Sequence, residues 1–72
     1  MALQNSAADY EVTMKILSMM EVSKRTALVA ISQQTGIKLA DIIRYSARLI
    51  SENIIRRDVD NGNIYYTLLT DQ

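Results

Sequence analysis

A chain of 72 residues has room for one hydrophobic core, and 49% apolar and 22% charged residues with no proline match a folded domain rather than a disordered segment. With neither Cys nor His, it has no disulfide, thiolate nucleophile, imidazole base or usual nitrogen or sulfur ligand for zinc, so most enzyme chemistry is excluded and no metal or cofactor is expected. Eight basic residues balance eight acidic ones, so a charged site has to be a local patch rather than a field of the whole molecule.

Residues 1–5 read as a flexible N-terminal tail and 6–72 as a single domain. No basic residue precedes Lys15, and the longest apolar run is Ala27-Leu28-Val29-Ala30-Ile31. The expectation is a cytoplasmic protein with no secretory leader and no membrane span.

Ser6, with Asp9 three residues on, is a variant capping box, and Tyr10, Thr13, Met14, Leu17 and Met20 recur at helical spacing. This predicts a first helix over residues 7–20. Its other flank, Val12, Ile16 and Met19, is apolar as well, so two surfaces of the helix need cover. Thr26 fits an N-cap for a second helix with Leu28 and Ile31 facing inward, ending at Thr35-Gly36, where glycine supplies the left-handed residue. Ile37-Lys38 connects to a third helix over 39–52, closed by Asn53. The runs 54–59 and 63–69 are rich in Ile, Val, Tyr and Thr and flank Asn61-Gly62. They predict a hairpin with Val59 opposite Ile64, Arg57 opposite Tyr66 and Ile55 opposite Leu68 on its inner side, and Asp58 opposite Tyr65 outside.

The fold class is therefore mainly α with a small β-hairpin: three helices, then a two-stranded wing. Over residues 9–69 this order resembles the winged helix-turn-helix family. The carriers are Ile31-Ser32-Gln33-Gln34-Thr35-Gly36-Ile37, similar to the second-helix-and-turn segment of MarR-type and small fimbrial regulators, and Leu49 with Asn53-Ile54-Ile55-Arg56-Arg57, similar to their run into the wing. The resemblance implies a transcriptional regulator that acts as a homodimer, with helix 39–52 in the major groove of duplex DNA and the ribbon over neighbouring phosphates. On the matching positions it implies Lys38, Arg44 and Arg48 as helix contacts, with Arg56, Lys24 and Arg25 as further phosphate contacts.

The residues themselves leave alternatives open. Arg44 and Arg48 lie one turn apart on one polar strip, within reach of a single groove. The same spacing lets Arg44 pair with Asp41, and Arg48 with Glu52, as solvated helix pairs. Arg57 is expected over Tyr66 as a cation–π pair. Asp58 and Asp60 at the wing tip stand where family members often carry basic residues, which opposes wing contact with DNA. On helix three a second apolar arc, Leu39, Ile43, Ala47 and Ile50, widens the apolar sector beyond the ~100° stripe that one core needs.

That arc could be deeper core, a surface for thymine methyls, or a protein interface of Ile43, Ala47 and Ile50 with Met19 from the first helix. Met14, Met19 and Met20 suit core filling and adaptable interfaces alike. The alternative function is accordingly a winged-helix adaptor or inhibitor that holds a protein partner and binds no DNA. Single-strand or RNA binding by stacking on Tyr65 or Tyr10 is the third reading, and it lacks a basic groove. No paired carboxylates, Gly-rich loop or nucleophile motif stand out, so no catalytic residue is assigned and the chain is expected not to be an enzyme.

Overall fold

The structure is a computed structural model and describes residues 7–69; the tail 1–5 and Ser6 of the capping box lie outside the described residues. In chain order the elements are α1 Ala7–Ser18, β1 Arg25–Ala27, α2 Leu28–Thr35, α3 Leu39–Ser51, β2 Ile55–Asp60 and β3 Asn63–Leu68. The strands form one antiparallel sheet in the order β1-β3-β2. α2 packs on β3 and α3 on β2, and α1 touches both other helices. This is a winged helix, as the order of elements predicts, with one strand more than the two-stranded wing.

The extra strand is β1. Thr26, taken as a helix cap, lies within it opposite Tyr66, and the cap position falls to Ala27, whose backbone is extended and whose side chain makes no capping bond. Three residues are too few for a strand period to show, and the partner strand lies about 40 residues further on. α1 also stops two residues before the expected end. The Met19 and Met20 amides donate to the Ile16 and Leu17 carbonyls at 3.1 and 3.0 Å, the tighter i→i+3 pattern of a frayed last turn. Met20 nevertheless reaches the core.

The turn between α2 and α3 follows the glycine. Gly36 adopts φ 77°, and its N–H donates to the Ser32 carbonyl at 2.8 Å. Side chains then stitch the turn: the Thr35 hydroxyl donates to the Ile31 carbonyl at 2.7 Å and accepts the Ile37 N–H at 3.2 Å, while the Ser32 hydroxyl donates to the Ile37 carbonyl at 2.6 Å. α3 thus leaves α2 at a set angle. Its own end has Glu52 as cap and Asn53 left-handed at φ 61°.

The hairpin has the register read from its turn, Val59 on Ile64, Arg57 on Tyr66 and Ile55 on Leu68. Asn61 and Gly62 both carry positive φ, 54° and 78°, the requirement of a type I′ turn. A Cβ on Gly62 would meet no atom within 4 Å, so Gly62→Ala should cost only the backbone penalty of the left-handed region, about 1 kcal/mol, read as a lower thermal midpoint. An unchanged midpoint would show that the turn relaxes to another type.

Ile16, Leu28, Ile31, Ile42, Leu49, Ile55 and Tyr66 form one buried cluster drawn from every helix and both hairpin strands. The inner row of the hairpin leaves this core toward its tip, where Val59 is 64% exposed. Arg57 is exposed too, and its expected stack on Tyr66 does not form because the Tyr66 ring is fully enclosed. A cation does cover a wing tyrosine, but on the outer face, where Arg25 sits 4.0 Å over the ring of Tyr65.

Candidate nucleic-acid interface

At 100° per residue, the buried side of α3 is Ile42, Ser46 and Leu49, and the remainder divides into two strips. One strip is charged: Arg44 donates to Asp41 at 3.1 Å and Arg48 to Glu52 at 3.1 Å, all four side chains being well exposed. The Asp41 hydrogen bond holds the Arg44 guanidinium more firmly protonated than an ordinary arginine. Both possibilities for these arginines are therefore visible together, since they share a strip and each has a carboxylate partner. Such exposed pairs contribute about 0–1 kcal/mol each, so an incoming phosphate or base edge competes with them easily.

The second strip is apolar and largely uncovered. Leu39 is 44% and Ile43 38% exposed, Ala40 and Ala47 are exposed, and only Ile50 packs against the core. The core does not wrap this helix further. Met19, grouped with the strip as a protein contact, is half-buried against the core just past the end of α1.

The other cations sort into paired and unpaired. Lys24 pairs with Glu21 at 2.9 Å. Arg25 lies 3.5 Å from Asp58 and 3.4 Å from Asp60, besides covering Tyr65. Lys24 and Arg25 are thus less free than expected for phosphate contacts, and the acidic wing tip is partly neutralised from β1. Among the described residues, Lys15, Lys38, Arg56 and Arg57 have no ion pair, and all four are exposed. Lys38 sits at the N-cap of α3, while Arg56 and Arg57 open the wing just beyond its C-terminus on opposite faces of β2. Arg57 was missed as a free cation because strand parity put it against Tyr66.

An open groove of about 550 Å³ runs between α1 and α3, lined by Tyr10, Met14, Leu17 and Tyr45 with Arg44 and Arg48 at its edge. Tyr10 is 63% and Met14 43% exposed. Across the groove the Tyr45 hydroxyl donates to Asp9 at 2.7 Å, tying α3 to the first turn of α1. No sequence signal marks a contact between residues 36 positions apart. The bond to the Asp9 carboxylate raises the Tyr45 pKa above the ordinary tyrosine value, with partial burial adding to it. The neutral phenol is the favoured form in the fold, so its stabilising effect is complete below the unfolded pKa near 10 and fades as pH rises through the higher folded value. Ultraviolet titrations of the wild type and of Tyr45→Phe should differ by one tyrosine that ionises above the ordinary value.

Among the described residues, no helix is long and apolar enough to cross a membrane, and no three His, Cys, Asp or Glu side chains gather to hold a metal ion. No family model matches the chain, and no curated protein matches it. The fold is similar to a solved one, the crystal structure of NolR from Sinorhizobium fredii, at 24% sequence identity and a TM-score of 0.65 over 90% of this chain and 70% of that one. What the two share at that identity is the winged-helix architecture.

Proposed function

We propose that this chain is a small DNA-binding transcriptional regulator of the MarR-type or small fimbrial-regulator kind, reading duplex DNA with the helix 39–52. The observation that supports the reading is the placement of cations without an ion pair among the described residues at both ends of α3, Lys38 before it and Arg56 and Arg57 after it. The thirteen-residue helix between them is about 20 Å long, a span over which a phosphate backbone offers several anions. Arg44 and Arg48 lie between them; to reach a groove Arg48 leaves Glu52, and Arg44 leaves Asp41 and the Tyr45 ring it covers at 4.7 Å. Titration against mixed-sequence duplex at two salt concentrations tests this: binding at low salt that falls steeply at higher salt supports it, and no binding at low salt removes it.

The acting species in this proposal is a homodimer. Tyr10 and Met14 are the exposed apolar residues of α1, and a core this small gains from association when neither disulfide nor metal is present. Sedimentation equilibrium should give a mass above that of one chain at high micromolar concentration; a strictly monomeric mass rejects the dimer. The second reading, a protein-binding adaptor or inhibitor, is favoured by the uncovered Leu39 and Ile43. It requires that duplex DNA not bind and that Ile43→Asp abolish a protein complex.

A further inference from the structure

We propose that Ile43, with Ala40 and Ala47 one turn to either side, reads the 5-methyl groups of thymine, so that the DNA site of this protein carries thymine opposite the middle of α3. The inference rests on the DNA-binding reading above and adds to it what the helix recognises.

The exposed surface of α3 is poor in groups that read bases by hydrogen bonding. It has no Asn or Gln, its arginines are confined to the strip with Asp41 and Glu52, and the Ser51 hydroxyl already donates to the Arg48 carbonyl at 2.8 Å. Beside that strip two aliphatic side chains are exposed, Leu39 in the first turn and Ile43 in the middle of the helix between Ala40 and Ala47. The alanines leave Ile43 as the prominent side chain at mid-helix, with Leu39 one turn before it on the same strip.

Of the groups that base pairs present in the major groove, the thymine methyl is the apolar one; the others are hydrogen-bond donors or acceptors. Seating Ile43 on the edge of a G·C pair would strip water from such groups without replacing their bonds. Seating it on a methyl buries apolar surface on both partners.

The charges around the strip favour a nucleic acid over a protein as the occupant. The apolar patch lies between cations that have no partner among the described residues, Lys38 at one end and Arg56 and Arg57 at the other. An apolar centre between two cationic ends matches a duplex, whose groove floor carries the methyls and whose two backbones carry the phosphates.

The test starts from a duplex pool with a randomised centre, selected on the wild-type chain at low salt. The tightest duplex is then remade with deoxyuridine in place of each thymine in turn, which deletes one methyl and keeps every hydrogen bond. At one or two positions the loss should weaken binding about fourfold, the factor expected for one buried methyl-sized group. Ile43→Ser should bring that penalty below about 1.5-fold and Ile43→Val should retain it, with thermal melts confirming that both variants fold. Uniform affinity across the deoxyuridine series, or an undiminished penalty in Ile43→Ser, overturns the proposal. Binding without sequence preference also overturns it while leaving DNA binding in place, whereas failure to bind any duplex removes both.

Discussion

Replacing Tyr66 with alanine should remove a large share of the stability of this domain. The ring is fully enclosed at the centre of the sheet, in the row that packs on the helices, and truncating a buried aromatic typically costs 3–5 kcal/mol. A domain of 72 residues has roughly 4–11 kcal/mol to lose, so the variant should unfold at a much lower urea concentration than the wild type and, at the low end of that range, without any denaturant. Tyr66→Phe should behave oppositely. The hydroxyl is buried with no hydrogen-bond partner among the described residues, so removing it should be neutral or should stabilise by up to about 1 kcal/mol, a rise of several degrees in Tm. Urea unfolding of the pair decides the matter, and a Phe variant weaker by more than about 1 kcal/mol would mean that the hydroxyl is satisfied in solution.

The other large effect concerns the arginines of α3. Arg44→Ala and Arg48→Ala should each weaken duplex binding by about 1–3 kcal/mol, while stability changes by no more than about 1–2 kcal/mol, since Arg48 loses an exposed ion pair and Arg44 loses one together with its stack over the Tyr45 ring. For an arginine that contacts phosphate, the slope of log affinity against log salt should also fall by about 0.9. The carboxylates supply the inverse arm: Asp41→Asn and Glu52→Gln release the guanidinium groups and remove two negative charges from the approach, so binding should tighten. If the double arginine variant binds duplex as the wild type does, α3 is not the DNA-reading element.

Legibility in the sequence followed distance along the chain. Asn61-Gly62 fixed the hairpin register because the turn type and the strand alternation are both local, and Gly36 marked the end of α2 for the same reason. The pairs Arg44–Asp41 and Arg48–Glu52 are separations of three and four on one helix, readable from periodicity alone. Nothing local announced β1, a three-residue strand held by a partner some 40 residues away. Likewise Arg25 reaches Asp60 across 35 residues and Tyr45 reaches Asp9 across 36, and these contacts depend on how the elements stack. The apolar arc of α3 was legible as an excess. Whether the core or the solvent took it depended on where α1 and the wing came to rest.

The position of β3 has a consequence for how the chain becomes a domain. The central strand of the sheet follows every other described element in the chain, and each outer strand finds its main-chain partners in it. A nascent chain that stops before Asn63 has its three helices but holds β1 and β2 apart with nothing between them, and it lacks Tyr66 and Leu68 from its core. Closure of the sheet therefore waits for residues 63–68, whatever has formed before them. Ribosome-stalled chains lengthened one residue at a time should go from protease-sensitive to resistant in a single step, once β3 clears the exit tunnel.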